Sequence, residues 1–430
     1  MRFGSSQPRL TEDARKILAA QGLRALAYGF ASILLGASLE ARGWTGGQVG
    51  LLLAAILAGT AALSLVVGRV GDRVGRRRLY AFLFLGLSVS GLAFGLTDRL
   101  WILLLVALAG TMSTEVVESG PFTSLEQAML PAAVPPERRT RVFGTYNAVA
   151  TVAGSLGALA AGGPALLRGL WPGVPADYRF FLVLVPVGIA GMAIARSLSP
   201  RVEVPFGGAQ PPHPLGRSRR PVIGLSALFA VDSLGGGFVL QSFLAYWFRL
   251  RYGVPLEVLG LVFFLVGLLQ AASFAVATRL AERIGLLNTM VFTHLPSNVL
   301  LAAIPLAPTL PVAVALLLGR FALSQMDVPA RQAYVMGLVE PEEQTAAAAY
   351  TNAARYAVRP FGPLLGGLAQ HAALGLPFLL GGGIKAAYDL ALLAWFRRAP
   401  LASGSRDRRQ AWQARDERTD SRQTASSPGA

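Results

Sequence analysis

Long uncharged runs alternate with short charged segments over most of the chain. About twelve of these runs hold roughly 18 to 27 residues, which is enough for an α-helix to cross a hydrocarbon core of about 30 Å. The pattern therefore predicts an all-α membrane protein whose apolar helices are joined by polar loops. The predicted spans lie near residues 18–38, 48–68, 79–97, 101–125, 142–167, 178–198, 221–247, 256–277, 286–306, 311–336, 345–369 and 374–396.

An arginine- and proline-rich stretch separates the first six spans from the last six. Residues 199–220 include the pair Pro211-Pro212 and three further prolines, so they cannot form a continuous helix. We expect this stretch to be a cytoplasmic linker between two bundles. The predicted divisions are a cytoplasmic N-terminus at 1–17, a six-helix bundle at 18–198, the linker at 199–220, a second six-helix bundle at 221–398 and a disordered cytoplasmic tail at 399–430.

The composition excludes an ordinary soluble protein, because 53% of the residues are hydrophobic, 14% are charged and the mean hydropathy is +0.51. Cysteine is absent, and His213, His294 and His371 do not have metal-ligand spacing, so we expect no disulfide, metal or other cofactor. The net charge of +16 comes from arginines that concentrate in alternate loops, as the positive-inside rule requires. We therefore expect a multi-pass protein of the cytoplasmic membrane, with both termini in the cytoplasm and no nucleic-acid partner.

A dense charged turn lies between the second and third spans. Residues 68–78 read G-R-V-G-D-R-V-G-R-R-R, which gives the spacing G-x-x-x-D-R-x-G-R-R from Gly68 through Asp72 and Gly75 to Arg76 and Arg77. A basic turn that only obeys the positive-inside rule would explain the arginines, but not the acid and the two spaced glycines. The segment resembles the signature loop of the major facilitator superfamily of secondary transporters. That resemblance implies twelve transmembrane helices in two pseudo-symmetric six-helix bundles, with a substrate site near the bilayer midplane between them.

The signature loop recurs in degraded form in the second half of the chain. The segment around Glu282 matches that around Asp72 at an offset of 210 residues, and the segment around Thr345 matches that around Thr140 at an offset of 205. These matches support two repeated halves. The family's glycine-proline antiporter motif departs from the pattern, because its best match lies in the eleventh span, at residues 362–367, rather than in the fifth.

The fourth span carries the acids that are best suited to proton transfer. Thr111, Glu115, Glu118 and Phe122 have the spacing of one helix face. Two carboxylates one turn apart in a low dielectric repel each other, which suits a proton carrier. The alternative is a structural ion pair of one acid with Arg24, Arg355 or Arg359.

In the family that the chain resembles, the first, fourth, seventh and tenth helices line the central cavity. Polar and ionisable residues on these helices are therefore candidates for the substrate and proton pathway, and two arginines of the eleventh span also need an acid or an anion opposite them. The glycines at 235–237 predict either an unwound seventh helix or close helix packing. The candidate pathway residues are Arg24, Glu115, Glu118, Asp232, Gln241, Arg320, Asp327, Arg355 and Arg359.

Charged residues near the predicted cytoplasmic face suggest a conformational latch. The resemblance implies that Asp72 docks near the start of the eleventh helix and that Arg76 pairs with Glu126 at the end of the fourth. The repeat then predicts a matching pair of Glu282 with Arg331 in the second half, and both pairs would close when the cytoplasmic helix ends come together. The candidate latch residues are Gly68, Asp72, Arg73, Gly75, Arg76, Glu126, Glu282 and Arg331.

Local spacing favours a simpler arrangement for some of these charges. Asp327 and Arg331 are four residues apart, as are Lys385 and Asp389. Opposite charges at this spacing lie on one helix face, so each couple is predicted to pair within its own helix.

These observations favour a monomeric secondary transporter, not an enzyme, that moves a small organic molecule by alternating access. We expect proton-coupled efflux, on the general likeness to drug-efflux members of the family. The alternative is proton-coupled uptake of an organic anion, which is favoured by Arg24, Arg320, Arg355 and Arg359. An intramembrane enzyme or a lipid scramblase is a remote alternative, because the sequence shows no convergent nucleophile and base. The sequence also has no nucleotide-binding loop, so we do not expect ATP to be the driving force.

Overall fold

The computed structural model describes residues 10–116, 120–134, 139–175, 177–203, 218–339 and 343–397. These residues form α-helices joined by short turns, without β-strands, and ten of their helical segments are long and apolar enough to cross a membrane. The predicted all-α membrane fold is confirmed. The α-helices are α1 (Glu12–Ala41), α2 (Gly46–Val74), α3 (Arg76–Leu96), α4 (Leu100–Leu108), α5 (Pro121–Met129), α6 (Arg139–Ala160), α7 (Gly163–Leu170), α8 (Leu184–Ser197), α9 (Arg219–Gly237), α10 (Gln241–Tyr252), α11 (Leu256–Ile284), α12 (Leu286–Ala303), α13 (Leu310–Ser324), α14 (Asp327–Leu338), α15 (Gln344–Val358), α16 (Phe361–Ala372) and α17 (Leu376–Phe396).

The predicted termini fall largely outside this description. Residues 1–9, most of the linker (204–217) and the tail from 398 onward are not among the described residues. The expected disorder of the tail therefore stays a prediction. The inner face of the bundle is defined as the one at which α1 begins, predicted to be cytoplasmic, and the outer face is the opposite one.

The fourth predicted span is not a single helix. α4 ends at Leu108 and α5 begins at Pro121. Residues 109–116 and 120, the described residues between them, are not helical. Gly110 has φ of 75° and Gly120 has φ of 64°, a backbone conformation that residues with a side chain rarely adopt. A Cβ on Gly110 would also lie 2.3 Å from the carbonyl oxygen of Gly59 on α2. The prediction that residues 111–122 form one continuous helix face is therefore wrong.

The seventh and eleventh spans are also interrupted, and they meet where they break. α9 ends at Gly237, and α15 and α16 are separated by Arg359-Pro360. A Cβ on Gly237 would lie 2.6 Å from the carbonyl oxygen of Arg359 and 2.9 Å from the Cα of Gly362. Both interpretations of the 235–237 glycines thus hold, because the helix ends there and another helix packs closely against it.

Small residues bring the outer ends of the two halves into direct contact. A Cβ on Gly36 of α1 would lie 2.2 Å from the carbonyl oxygen of Ser242 on α10, and one on Gly367 of α16 would lie 2.2 Å from that of Gly46 on α2. An ion pair between Glu40 and Arg249, with 2.8 Å between Oε2 and Nε, adds a polar contact at the same face. The outer face is therefore closed.

The signature loop and its degraded copy have the same backbone conformation at the inner face. Gly75, with φ of 97°, separates α2 from α3, and Gly285, with φ of 85°, separates α11 from α12. In the first half, the carboxylate of Glu203 accepts hydrogen bonds from the backbone N–H groups of Arg76 (2.6 Å) and Arg77 (3.1 Å). This satisfies two donors at the N-terminus of α3 with a negative charge, which the helix dipole favours.

The face of α3 that points away from the bundle is apolar. Phe82, Leu85, Val89, Leu92 and Leu96 recur at helical spacing, and each side chain is exposed. A stripe of exposed apolar residues on an outer helix is what contact with lipid tails requires.

Candidate transport site and buried charge networks

An ion pair joins the two halves of the protein at the breaks in the fourth and eleventh spans. Nη2 of Arg359, between α15 and α16, donates to Oε1 of Glu115, between α4 and α5, over 2.5 Å. The side chains are 18% and 30% exposed, so water reaches the pair but does not surround it. The structure therefore brings together two predicted pathway residues and gives Glu115 one of the three partners that were proposed for it.

The pair borders a small cavity at the junction of the halves. The cavity is about 30 Å³, which exceeds the roughly 10 to 15 Å³ that one water molecule needs. Its walls come from α2, from the break in the fourth span and from the eleventh span. The lining residues are Leu57, Thr60, Ala61, Ser64, Ser113, Glu115, Gly120, Tyr356 and Arg359.

Other predicted pathway residues lie near this junction. Arg355 is one helical turn before Arg359, and its backbone carbonyl accepts a hydrogen bond from Ser233 of α9 over 2.9 Å. Gln241 is the first residue of α10 and is half-buried. Glu118 lies outside the described residues, so its predicted role as a proton carrier remains a prediction.

The first half contains an enclosed charge network around Glu126. Nη2 of Arg24 lies 2.7 Å from Oε2 of Glu126, and both side chains are 0% exposed. The hydroxyl of Tyr80 donates to Oε1 of Glu126 over 2.6 Å, the hydroxyl of Tyr146 donates to Oε2, and Gln21 accepts from Arg24. Arg24 is thus buried inside the first bundle in this conformation rather than open to a central cavity.

The predicted pair of Arg76 with Glu126 is not formed in this conformation, whose outer face is closed, so the latch stays a prediction. The partners of Glu126 are Arg24 and the two tyrosines, whereas Nη1 of Arg76 donates to the backbone carbonyls of Ala128 (3.0 Å) and Val202 (3.5 Å). Arg76 therefore ties α3 to backbone at the inner face, while the acid is held deeper in the bundle. Gly68 and Arg73 are exposed, and the side chain of Asp72 is outside the description.

The second half contains a larger network around Asp232 of α9. Nζ of Lys385 lies 2.5 Å from its Oδ1, and Nη1 of Arg331 lies 3.4 Å from its Oδ2. Arg331 also pairs with Asp327 over 3.2 Å, as the local spacing predicted. Glu282 is exposed at the end of α11 and has no ion pair among the described residues. The predicted Glu282–Arg331 latch is therefore not formed here, because Arg331 is buried beside Asp232.

The predicted pairing of Lys385 with Asp389 within α17 is wrong. Lys385 reaches Asp232 instead, while Oδ1 of Asp389 lies 2.8 Å from Nδ1 of His294, and Oδ2 accepts a hydrogen bond from Asn298 over 2.8 Å. In a buried environment each charge takes the partner that best compensates its desolvation, and here those partners are on other helices. His294 and Asn298 lie on α12, a helix that the sequence pattern does not place at the site.

The two networks are related by the internal repeat, with the charges reversed. Arg24 and Asp232 correspond at an offset of 208 residues, and Glu126 and Arg331 at an offset of 205. The first half therefore has a base on its first span and an acid on its fourth. The second half has the acid on the seventh span and the base on the tenth.

Arg320 of α13 is a buried cation that forms no ion pair with a described residue, although Asp232 is near enough to act on its charge. It is 7% exposed, its guanidinium lies 4.5 Å from the ring centroid of Phe321, and its Nε and Nη1 atoms have no hydrogen-bond partner in the described part of the chain. The same holds for the buried hydroxyl of Ser324, one turn further. A buried donor without a partner costs free energy, so this position could bind an acidic group.

A family model for the major facilitator superfamily matches residues 17–363 of the chain, which is most of its length. The chain belongs to the major facilitator superfamily. The resemblance seen in the signature loop is thereby confirmed.

Relatives and solved structures agree with this family. The chain is 27% identical over 423 residues to an uncharacterised membrane protein of Saccharomyces cerevisiae, YJR124C, covering 90% of this chain and 94% of that protein. The fold of the present chain is similar to that of the nucleoside transporter NupG, with a TM-score of 0.68 and 13% identity; the match covers 90% of this chain and 99% of NupG. A D-xylose-proton symporter has the same TM-score of 0.68 at 14% identity, with 91% and 99% covered.

Membership in the superfamily decides the class of protein. The chain is a membrane transporter and not an enzyme, and its fold is the superfamily's fold of two six-helix halves. The expected export of drug-like compounds is a finer property that membership alone leaves open.

Proposed function

We propose that this protein is a proton-coupled secondary transporter that exports a small organic molecule across the cytoplasmic membrane. It works by alternating access, as a monomer with both termini in the cytoplasm. The observation that carries the proton coupling is the ion pair of Glu115 with Arg359, because it links the two halves at the breaks in the fourth and eleventh spans and includes a group that can take up a proton.

Protonation of Glu115 would remove its charge and weaken the contact between the halves. Exposed ion pairs contribute about 0 to 1 kcal/mol, and partly buried ones contribute more. Since this pair is only 18% and 30% exposed, its contribution is expected at the upper end of that range or slightly above it, at about 1 kcal/mol. Loss of about 1 kcal/mol changes the ratio of two conformers about fivefold.

Export is supported by the likeness of the signature loop to that of efflux members of the family. Proton-coupled uptake of an organic anion is a second candidate, which Arg320 favours, because two nitrogen atoms of its buried guanidinium have no hydrogen-bond partner among the described residues. A D-xylose-proton symporter with a similar fold is an example of proton-driven transport on this architecture.

The test is transport by purified protein in inside-out and right-side-out vesicles with an imposed pH gradient. A panel of cationic, neutral and anionic compounds is scored in both orientations. Proton-coupled export predicts accumulation in inside-out vesicles that are acidic inside, whereas anion symport predicts accumulation of anions in right-side-out vesicles that are acidic outside. The proposal is overturned if no compound accumulates in response to the gradient in either orientation.

A further inference from the structure

His294 of α12 lies between two carboxylates of the second half. Its Nδ1 is 2.8 Å from Oδ1 of Asp389 on α17, and its Nε2 is 3.8 Å from Oδ1 of Asp232 on α9. The ring is 4% exposed and stands edge-on to the ring of Tyr388, with the centroids 6.0 Å apart. One imidazole therefore bridges acids that belong to two other helices.

The hydrogen-bond partners decide which nitrogen carries the proton when the ring is neutral. Nδ1 lies 2.8 Å from Oδ1 of Asp389, a carboxylate that only accepts, and 3.1 Å from the amide nitrogen of Asn298, which only donates. We assign the proton to Nδ1 because the contact with the charged acceptor is the shorter one and the amide already donates to Asp389. Asn298 donates to the other oxygen of Asp389, which fixes that carboxylate. Nε2 is then left with a lone pair that faces Oδ1 of Asp232, and this contact is not a hydrogen bond. A proton added at Nε2 would turn it into a donor and an ion pair.

That proton would compete with existing bonds of Asp232. Oδ1 of Asp232 already accepts from Lys385 on α17 at 2.5 Å, and Oδ2 faces Arg331 on α14 at 3.4 Å. Arg331 has a second acid, Asp327, at 3.2 Å. If Asp232 turned toward an imidazolium, Arg331 could keep Asp327 and release α9, which would loosen the contact between the seventh and tenth spans.

The charge balance around the ring makes this site sensitive to one proton. The acids Asp232, Asp327 and Asp389 match the bases Arg320, Arg331 and Lys385, so a neutral imidazole leaves the cluster balanced and a protonated one leaves it with an excess positive charge. An excess charge in a buried site is costly and favours hydration or rearrangement. α11, which also packs against α12, carries its charged residues near its ends. The groups that face the site are Asp232 from α9, Arg320 from α13, Asp327 and Arg331 from α14, and Lys385, Tyr388 and Asp389 from α17.

Buried polar atoms on three helices around the cluster have no hydrogen-bond partner among the residues that the structure describes. They are the hydroxyl of Ser297 and Oδ1 of Asn298 on α12, the hydroxyl of Ser324 on α13 and the hydroxyl of Tyr388 on α17. Buried water commonly satisfies such groups when several are close together. A few water molecules in this region would give a proton a hydrogen-bonded route to Nε2.

We propose that Nε2 of His294 is a second proton-binding site, whose occupancy controls the Asp232–Arg331 contact between the seventh and tenth spans. The inference rests on the proposed proton-coupled function and adds to it a site inside the second half. Histidine suits the role because it changes charge between about pH 5 and 8.

The test follows the conformation of the protein with pH and needs no substrate. The chain has no cysteine, so Val74→Cys and Ile284→Cys place one spin label at the inner end of each half, and pulse EPR measures the distance between them. The measurements are made in a Glu115→Gln background, which removes the other proposed proton site. Between about pH 5 and 8 we expect the ratio of the two conformers to change at least about tenfold.

Two histidine variants separate the site from general effects. His294→Gln keeps a donor for Asp389 but cannot take up a proton, and we expect it to reduce the pH-driven change to less than about twofold. His371→Gln, at the outer end of α16, is the matched control and should leave the change intact. The inference is overturned if His294→Gln retains the full change, or if Glu115→Gln alone already abolishes it.

A direct measurement on the unsubstituted His294 does not depend on whether the His294→Gln variant folds. Nitrogen-15 NMR of the labelled imidazoles, with three histidines in the chain, should show a His294 signal that is neutral with the proton on Nδ1 at high pH and doubly protonated at low pH. A signal that stays neutral down to about pH 4 would overturn the inference. If the vesicle experiment shows no proton coupling while this signal titrates, the proposed function fails and the binding site stands.

Discussion

Removal of one charge from the enclosed Arg24–Glu126 pair should destabilise the first half strongly. Glu126→Gln keeps the shape of the side chain but leaves Arg24, which is 0% exposed, without a counter-charge. Breaking a buried pair in this way costs about 3 to 5 kcal/mol. The amide oxygen of Gln can still accept from Tyr80, but the amide NH2 group then replaces the oxygen that accepts from Tyr146 and Arg24, so lost hydrogen bonds place the cost at the upper part of that range.

The effect is large enough to measure by thermal unfolding in detergent, followed by tryptophan fluorescence. For a unit of about 150 to 250 residues, 1 kcal/mol shifts the Tm by about 2 to 4 °C, so Glu126→Gln should lower it by roughly 6 to 20 °C. Arg24→Gln combined with Glu126→Gln removes both charges and should recover much of the loss. This recovery is a coupling free energy between the two sites.

A surface pair on the same helix is the matched control. Glu12 and Lys16 pair over 2.6 Å, but Glu12 is 72% exposed, so Glu12→Gln should leave the Tm unchanged. The reasoning is refuted if Glu126→Gln behaves like Glu12→Gln, or if the double variant loses as much as the sum of the single variants.

Two further predictions concern packing and capping. Gly367→Ala places a Cβ 2.2 Å from the carbonyl oxygen of Gly46, so the outer ends should separate, and spin labels across the outer face should report longer distances. Gly383→Ala, whose Cβ meets no described atom within 4 Å, is the control and should leave these distances unchanged. Unchanged distances in Gly367→Ala would contradict this account. Glu203→Gln weakens the cap on the N–H groups of Arg76 and Arg77 and should cost about 0.5 to 2 kcal/mol in thermal unfolding, so an unchanged Tm would mean that the cap is not needed.

The sequence was sufficient to predict the spans and the repeat for physical reasons. The thickness of the bilayer fixes the length of an apolar helix, so long uncharged runs are a strong signal. The signature loop could be located because its glycine turn and charges are local, and Gly75 and Gly285 indeed have the same type of backbone conformation. The repeat also related Glu126 to Arg331, which are the corresponding members of the two buried pairs.

The partners of buried charges could not be predicted in the same way. Lys385 and Asp232 are 153 residues apart, and Arg359 and Glu115 are 244 apart, so no local rule connects them. The spacing of Lys385 and Asp389 correctly put them on one helix face, but both side chains point into the bundle and find other partners there.

The break in the fourth span did have a signal in the sequence. Gly110 lies near its beginning, and Gly120-Pro121 lies at its end. Glycine permits a positive φ, and proline favours the first turn of a new helix. The regular spacing of Thr111 and Glu115 favours a continuous helix, whereas the glycines and the proline favour a break. The prediction followed the spacing and therefore placed Glu115 on a helix, although the described residues around it are not helical.

The most direct test of the central claim is transport by Glu115→Gln, compared with wild type, for a compound identified in the vesicle panel. Accumulation driven by a pH gradient and exchange of labelled for unlabelled compound are measured side by side, with Glu12→Gln as a control at an exposed carboxylate. If protonation of Glu115 couples the two halves, accumulation driven by the pH gradient should be at least about tenfold lower in Glu115→Gln than in wild type. Exchange should be retained, since it needs no net proton movement. Full driven accumulation in Glu115→Gln would contradict the account.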